Sequence, residues 1–385
     1  MVKNCFKSVI FLLALAFIPV SLSAASFKAG EVDMDLGASI PWDTGWDVAK
    51  KGDVADGKKN SYTDFFFENP GDSNVKLKAT YKPLVGYVEL AVAAPVTIRY
   101  AYGLIDLGKG NSLLVGQSDP VFAYGNPEQY MWQHRKLDGY GNLDLSRQPQ
   151  LLYSYKNDLL NFKVGIEQAL GKSDSFVTGT TGKERQVSAP MPAINAGITF
   201  NLNPVVVTPS FYYQQINSEK DNTDATTPNN FNMRSWGAAL DGSVKAGPIG
   251  IALEAWYGQN LFVLPNIDYR KNTSSKNFSK PIVDPLNTAN IDDVKSFGGW
   301  IQFSMPIDKT TFYLGAGSQS SQTGYDDATH AKNISTWGAF LNANIEAYKK
   351  FFIRPELAYF NHGKDENKKS LGNDIYAGVH FQYDF

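Results

Sequence analysis

The chain ends on the stretch Ile375-Tyr-Ala-Gly-Val-His-Phe-Gln-Tyr-Asp-Phe385, in which apolar side chains recur at every second position. Successive side chains of a β-strand point to opposite sides of the backbone. One side would therefore carry Ile375, Ala377, Val379, Phe381, Tyr383 and Phe385, and the other Tyr376, Gly378, His380, Gln382 and Asp384. This alternation predicts a strand with an apolar face and a polar face.

The same alternation occurs in residues 31–40 and in fourteen segments between the two ends. These segments are 73–82, 85–93, 95–106, 111–117, 148–156, 159–169, 189–200, 204–215, 232–245, 248–260, 294–305, 309–318, 333–346 and 350–361. The total of sixteen is even, as a single-chain bacterial membrane barrel requires. We therefore predict an all-β fold, a transmembrane antiparallel β-barrel of about sixteen strands.

The connections between these segments alternate between short and long. The short ones are rich in Gly, Pro, Asn, Asp and Lys, which favour tight turns. The long ones fall near 41–72, 118–147, 170–188, 216–231, 261–293, 319–332 and 362–371, and one connection near 93–95 is unexpectedly short. Short periplasmic turns and long extracellular loops are typical of membrane barrels, so we expect both termini in the periplasm.

Residues 1–25 have the pattern of a secretory signal peptide. Lys3 and Lys7 precede an apolar block at 8–20, and small residues up to Ala25 offer a cleavage site. The block is shorter than the roughly 18–20 apolar residues of a membrane-spanning helix, and Pro19 interrupts it. We predict that residues 1–25 are removed and that 26–385 form a single β-barrel domain in the bacterial outer membrane.

Composition excludes several classes of function. The only cysteine, Cys5, lies in the predicted signal peptide, so the mature chain has no thiol for catalysis, disulfides or metal binding. The net charge of −2 does not favour nucleic acid as a partner, because such proteins present basic faces. We expect no cofactor and no metal ion. The expected surroundings are outer-membrane lipid and lipopolysaccharide.

Aromatic residues are placed near many predicted strand ends. Tyr and Trp favour a membrane interface because the ring can be buried while its polar atom stays hydrated. The candidates for such a girdle are Tyr212, Tyr213, Trp256, Tyr257, Trp337, Tyr359, Phe360 and Tyr383.

The third connection on the loop side of the barrel, 118–147, follows 41–72 and the short connection at 93–95, and it is longer than a simple connection needs to be. A sixteen-stranded barrel encloses an aqueous channel, and a loop of this length that folds into the lumen would narrow it. Charged residues at a constriction select among solutes, and the loop offers Glu128, Arg135 and Lys136. An ordinary surface loop is the alternative.

Strand parity assigns other charges to the lumen. In the segment 95–106, Val96, Ile98, Tyr100 and Tyr102 would face lipid and Arg99 the lumen, because an arginine facing lipid at the midplane costs about 2–4 kcal/mol. The same reasoning turns a mixed set of charged and amide side chains inward: Arg147, Gln148, Gln150, Lys163, Glu167, Asp241, Glu254, Arg354 and Glu356. A lumen of mixed sign suits small hydrophilic solutes.

Three blocks of sequence carry a resemblance to a known family. Residues 97–103 read Thr-Ile-Arg-Tyr-Ala-Tyr-Gly, 113–117 read Leu-Leu-Val-Gly-Gln, and 147–151 read Arg-Gln-Pro-Gln-Leu. In this order the blocks resemble the DcaP-like family of trimeric Gram-negative outer-membrane porins. The resemblance implies a sixteen-stranded homotrimer with one channel per subunit that passes small anionic solutes such as dicarboxylates. It also implies lumen roles for Arg99, Gln117, Arg147 and Gln150.

Two alternatives from other classes stay open beside a porin. An outer-membrane enzyme would need a catalytic constellation, but His134, His330, His362 and His380 lie in no nucleophile or metal motif. An adhesin or structural barrel would have long loops and a blocked lumen. The terminal Phe385 is similar to the C-terminal aromatic that the barrel assembly machinery reads in known outer-membrane proteins. We therefore expect it to serve insertion.

Overall fold

A computed structural model describes most of the chain after residue 24. The described residues are 25–51, 61–92, 95–123, 125–130, 135–143, 145, 147–169, 176–178, 183–185, 187–218, 231–261, 282–283, 291–322, 329–365 and 367–385. The predicted signal peptide lies almost wholly outside them. No helix among these residues is long and apolar enough to cross a membrane.

Sixteen antiparallel strands form one closed sheet. They are β1 Val32–Lys51, β2 in two pieces Ser61–Glu68 and Asn74–Tyr81, β3 Leu84–Ala91, β4 Thr97–Gly108, β5 Asn111–Ser118, β6 Gln148–Lys156, β7 Leu160–Glu167, β8 Ala193–Asn201, β9 Val205–Ser218, β10 Phe231–Ala246, β11 Ile249–Gln259, β12 Lys295–Ile307, β13 Thr310–Gln322, β14 Asn333–Tyr348, β15 Phe351–Asn361 and β16 Gly372–Asp384. Each strand pairs with the next one along the chain.

The barrel closes between its first and last strands. β16 pairs with β1 from Ser39–Asp384 to Lys51–Gly372. Beyond this ladder, the Phe385 N–H donates a 2.8 Å hydrogen bond to the Ala38 carbonyl. Closure leaves no open strand edge along the seam. The backbone N–H and C=O groups there bond to each other and need no water.

Short elements lie outside the sixteen. Ala25–Ala29 forms a hairpin with the start of β1. The described parts of the long connections contain one 3-10 turn, Arg135–Leu137, and five short strands. Phe176–Thr178 pairs with Lys183–Arg185, and Ile282–Val283 pairs with Ile291–Asp292, so these four form two small hairpins. The fifth, Val187–Ser188, pairs with β9.

The prediction of sixteen strands is confirmed, but the first predicted loop is wrong. Residues 41–51 continue β1, and Ser61–Glu68 pairs with them. Pro41 and Gly45 broke the apparent pattern, although alternation continues through them. Asp43 and Asp47 are buried on the inner face, and Trp46 is 55% exposed on the outer face. Outer rings reinforce this pairing, because Trp42 stacks on Phe67 and Trp46 meets Phe65 edge-on.

The outer face of the barrel is apolar over its middle. Leu253 and Ile301 are cross-strand neighbours, as are Leu314, Leu341 and Leu357. All five are at least 37% exposed, which is typical of an apolar belt made for a hydrocarbon environment.

The wall is uneven in height. β3, β5 and β7 have 8 residues each, whereas β10 and β14 have 16. The long connections include 119–147 and 260–294, and the turns at the opposite rim have two or three residues. The barrel is therefore lowest on the side of β3–β7.

The predicted aromatic girdle needs a correction. Tyr212, Trp256 and Phe360 are buried inside the barrel, since they occupy the inward parity of their strands. Their neighbours in sequence face outward, and two outer pairs form across strands: Trp236 with Tyr257, and Trp337 with Tyr359.

We predict that the outer face of the barrel tolerates an added positive charge less well than the inner face does. Ile301→Arg places a guanidinium on the outer face of β12, while Ser304→Arg places one on the inner face of the same strand. In lipid vesicles the outer change should lower the free energy of unfolding by about 2–4 kcal/mol, and the inner one by much less. Urea unfolding followed by tryptophan fluorescence measures both. Equal losses would contradict the assignment of faces.

Candidate functional site

The third connection on the loop side of the barrel, 119–147, folds into the barrel, as predicted. It enters at the low side, where Val121 packs against Leu114 and Leu152 on the inner wall. Phe122 then lies fully buried against Tyr212, with ring centroids 5.8 Å apart. We refer to residues 119–147 as the lumen loop.

The outgoing half of the lumen loop is held along the wall by its own backbone N–H groups. Polar side chains on four different strands accept these hydrogen bonds at 2.6–3.1 Å. The pairs are Ala123 with Ser210 on β9, Gly125 with Asp241 on β10, Glu128 with Gln302 on β12, and Tyr130 with Glu356 on β15. Buried backbone donors need such partners, so inward polar side chains define the path of the loop.

Glu356 is the most heavily used of these acceptors. Its carboxylate accepts the Tyr130 N–H at 2.7 Å, the Gln129 side-chain amide at 2.7 Å and the Asn342 amide at 3.1 Å. Asn342 also donates to the Glu128 carbonyl at 2.6 Å. One carboxylate on β15 therefore fixes the tip of the outgoing half.

Tyr130 extends this anchor to the barrel seam. Its ring lies 4.3 Å from the Arg354 guanidinium and stacks on His380 at 5.7 Å, and His380 bonds to Asp43 on β1 at 2.5 Å. Burial raises the pKa of the Tyr130 hydroxyl, and the Glu128 carboxylate that accepts its hydrogen bond raises it further. The hydroxyl therefore stays a donor at physiological pH.

The returning half is fixed by aromatic side chains of the wall. Trp256 donates from Nε1 to the Gly141 carbonyl at 2.7 Å, and Trp300 donates to Asn142 at 3.1 Å. Tyr140 bonds through its hydroxyl to His362 at 2.6 Å. A side chain at Gly141 would collide with the backbone of β12 and β13, so the close approach requires glycine.

Two apolar clusters fill the space between loop and wall. Leu143 and Leu145 join a cluster with Trp256, and Leu137 and Tyr140 join another with Phe340. From Ala123 to Asn142 the contacts described above are with β9–β16, so the loop thickens one half of the wall. On the side of β3–β7 the described contacts with the loop involve only its first residues and Arg147, and we refer to this side as the open side.

A β-bulge in β4 determines which side chains of that strand face the lumen on the open side. Leu90 pairs with Ile98 and Glu89 pairs with Tyr100, so Arg99 is an extra residue without a partner position on β3. The bulge shifts parity by one, and Tyr100 and Tyr102 face inward, which corrects their predicted lipid-facing placement. Arg99 also faces inward, as parity predicted.

Arg99 is enclosed by carboxylates. Its Nη1 lies 2.8 Å from Asp72 and its Nε lies 2.9 Å from Glu89. Asp72 comes from the interruption between the two pieces of β2, and Glu89 from β3. Neither was predicted as a site residue, because the first segment was taken for a loop and the second carried no motif.

Gln117 does not lie in the channel, which corrects the role that the resemblance implied. It shares the outer face of β5 with Val115, and its amide donates to the carbonyls of Ile98 and Arg99 at 2.9 and 3.1 Å. The bulge frees these carbonyls from the ladder. Gln117 therefore stabilises the bulge that turns Arg99 inward.

Arg147 lies where the lumen loop rejoins the wall. Its guanidinium is 4.4 Å from the centroid of Tyr100, and its Nε is 3.4 Å from Asp119. Tyr100 also donates its hydroxyl to Asp119 at 2.8 Å. Gln150 is buried beside this group and donates to the carbonyls of Ser118 and Asp119, so it fixes the start of the loop.

The other predicted site residues are spread around the lumen. Lys163 and Glu167 take the inner parity of β7, and Glu167 is buried and accepts a 2.6 Å hydrogen bond from Asn195. Arg354 donates to Asn344 and Gln382 and lies largely buried beneath Tyr130. Glu128 is exposed. Lys136 has a left-handed backbone in the turn Arg135–Leu137, and the Arg135 side chain lies outside the described part.

Solved barrels are similar to this chain over nearly its whole length. The outer membrane channel DcaP of Acinetobacter baumannii matches with a TM-score of 0.69 at 18% identity, over 94% of this chain and 100% of that chain. An anion-selective porin from Comamonas acidovorans matches at 0.58 and 11% identity, over 92% and 100%. OmpT of Vibrio cholerae, in its trimer form, matches at 0.54 and 12%, also over 92% and 100%. No family model and no curated protein sequence matches the chain. The chain thus shares the fold of these barrels.

We predict that Glu356 keeps the loop tip in place. Glu356→Ala leaves the Tyr130 N–H and the Gln129 amide without their acceptor, at a cost of about 1–3 kcal/mol per buried group. A spin label on Glu128→Cys, in a mature chain without other cysteines, should become more mobile. Glu346→Ala, which affects a hydrogen bond at the β14–β15 turn, is the control. An unchanged spectrum in Glu356→Ala would contradict the anchor.

Proposed function

We propose that this protein is an outer-membrane porin, a water-filled channel for passive diffusion of small hydrophilic solutes. The observation that carries the proposal is the lumen loop, which lies inside a closed sixteen-stranded barrel and against one side of its wall. A barrel of this size is wide enough for an aqueous channel. A loop tied to β9–β16 narrows such a channel and leaves a passage beside β3–β7.

The residues proposed to meet solute are those on the open side and on the exposed edge of the lumen loop. They are Arg99, Arg147 and Lys163 on the wall side, with Glu128 and Lys136 on the loop, and Arg135 by its place in the sequence. Gln150, Glu167, Arg354 and Glu356 are assigned to holding the loop and the wall, because each is buried. Because the buried residues hold the loop and the wall in place, the constriction formed by the solute-facing residues would have a rigid shape.

A homotrimer is part of the proposal. Strands of 8 residues fall short of the roughly 9–11 that a tilted strand needs to cross the hydrocarbon layer. The outer face there is apolar nonetheless, with Val88, Val115 and Ile166 exposed. Contact with other subunits, instead of lipid, would suit this low wall. The similarity to a trimeric outer membrane protein of Vibrio cholerae supports the same assembly.

Location in the outer membrane follows from the apolar outer belt, the predicted signal peptide and the barrel fold. Outer-membrane lipid and lipopolysaccharide would surround the side with the longer strands, which includes β10 and β14. An adhesin or structural barrel would have the same belt, but it would conduct no ions. An enzyme would need a reactive group, and no described feature favours one.

We expect stepwise channel openings when the purified protein is added to a planar lipid bilayer. Deleting residues 128–138 should raise the single-channel conductance and relax the size limit for neutral sugars, because it removes the tip of the lumen loop. Deleting 221–228, in the connection between β9 and β10, is the control. Silence from folded protein would argue for a non-conducting barrel. Unchanged conductance in the 128–138 deletion would mean that the loop does not form the constriction.

We also expect Phe385 to act in assembly. Its N–H, which a substitution retains, bonds to Ala38, and its ring meets Tyr383 at 4.6 Å on a partly exposed surface. Phe385→Ala should therefore reduce the amount of folded barrel in cells, while protein refolded in detergent keeps nearly full stability. Cell fractionation with heat-modified gel mobility measures the first, and urea unfolding measures the second. Normal cellular levels would exclude a role in assembly.

A further inference from the structure

We propose that the upper hairpin of the barrel docks against a second copy of this chain, which completes the wall where the strands are short. The upper hairpin consists of residues 43–50 of β1 and Ser61–Glu68 of β2, which pair along their whole length. This inference rests on the proposed porin function with its homotrimer, and it names the surface that joins the subunits.

An interruption in β2 separates the upper hairpin from the low wall formed by β3–β7. Residues 69–73 lie opposite residues 40–42 of β1 and break the regular ladder. Pairing between β2 and β3 stops just below, at Asn74–Ala91, and one further hydrogen bond joins the Val92 N–H to the Ser73 carbonyl at 2.7 Å. β3 ends there, whereas β2 continues upward beside β1.

Above the interruption, β2 has a neighbour on one side only among the described residues. Ser61–Glu68 pairs with β1, and no described strand lies along its other edge. The opposite end of the low wall is different. β9 extends beyond β8 there, and Val187–Ser188 of the same chain pairs with Ser218 and Asn217. The described chain therefore covers one of these two edges and leaves the other for a partner.

The uncovered edge lies at the depth of the membrane. Phe65 and Phe67 project from the outer face of the upper hairpin beside Trp46, and these three side chains are 55–65% exposed. Large apolar rings on the outer face belong in hydrocarbon or in a protein interface, and the strand edge beside them lies at the same height. The N–H and C=O groups of such an edge find no partners in lipid, so protein has to cover it.

A second copy of the chain is the partner that this position fits. The rim of the low wall beside the edge is apolar, with Val96 and Ile98 65% and 57% exposed. Three strands of the low wall have only 8 residues, fewer than the roughly 9–11 that cross the hydrocarbon layer. Edge and rim thus form one continuous surface that lipid alone does not cover. In a trimer, each copy presents this surface to the next around a three-fold axis.

Spin labels on the purified mature protein in lipid vesicles test the proposal. A label on Phe65→Cys should be poorly accessible both to oxygen dissolved in the lipid and to a water-soluble nickel chelate, because protein surrounds it. Thr63→Cys places a second label on the same face without removing a ring. Leu240→Cys, on the outer face of β10 across the barrel, is the matched control and should be highly accessible to oxygen. Equal oxygen access at all three positions would mean that lipid covers the edge and would overturn the proposal.

Distances between labels identify the covering molecule. Dipolar spectra should show that Phe65→Cys labels on neighbouring subunits lie much closer together than Leu240→Cys labels do. A Phe65→Cys label that is protected but has no dipolar coupling to another subunit would show that a different part of the same chain covers the edge. That result would also exclude the proposed contact.

Loss of the rings tests the contact without a label. Phe65→Ser combined with Phe67→Ser should lower the temperature at which the trimer dissociates in mild detergent, while the separated subunits keep the gel mobility of folded barrels. Leu240→Ser combined with Leu253→Ser removes outer apolar side chains elsewhere and should leave that temperature unchanged. Equal effects of the two pairs would contradict the proposal. A failure of the porin function would appear as no conductance, whereas a failure of this inference would appear as conducting protein whose upper hairpin faces lipid.

Discussion

Pairing between β1 and β16 is the constraint on which the rest of the molecule depends. Thirteen consecutive residue pairs join the two ends of the described chain, from Ser39–Asp384 to Lys51–Gly372. Because this ladder closes the sheet, each of the sixteen strands has a neighbour on both sides, and the outer face can be apolar without an open edge at the seam. Closure also creates an interior, and the interior is where the lumen loop, the bulge and the ion pairs have their effect.

Inside the barrel, hydrogen bonds between wall side chains and the backbone of the lumen loop have the role that strand pairing has in the wall. The lumen loop leaves regular structure, so its N–H groups need acceptors that the sheet cannot supply. Ser210, Asp241, Gln302 and Glu356 provide them from four strands. Charged wall residues that look like selectivity determinants in sequence are thus partly structural. Under the proposed function, solute would meet charged residues such as Arg147 and Glu128, which lie outside the set of side chains that hold the loop.

Strand number and most strand positions could be predicted because alternation with a period of two is a local property. The prediction was wrong where a local feature obscured the alternation or changed its period. Pro41 and Gly45 hid the second half of β1, and the bulge at Arg99 reversed the faces of Tyr100 and Tyr102. A bulge depends on how two strands align, so one strand's sequence does not reveal it. Gln117 was placed in the lumen by the family resemblance alone, whereas in the structure it supports the bulge from the next strand.

The sequence by itself determined the class of the protein: a sixteen-stranded barrel with apolar strands outward, a long third loop and a mixed lumen. Composition and alternation are properties of each segment by itself, so they can be recognised without knowing which strands pair. Only the tertiary structure decided that the lumen loop lies on β9–β16, that Asp72 and Glu89 enclose Arg99, and that three tyrosines share one inner surface. These contacts join residues far apart in sequence, and their geometry follows from register and closure, which the whole sheet sets at once.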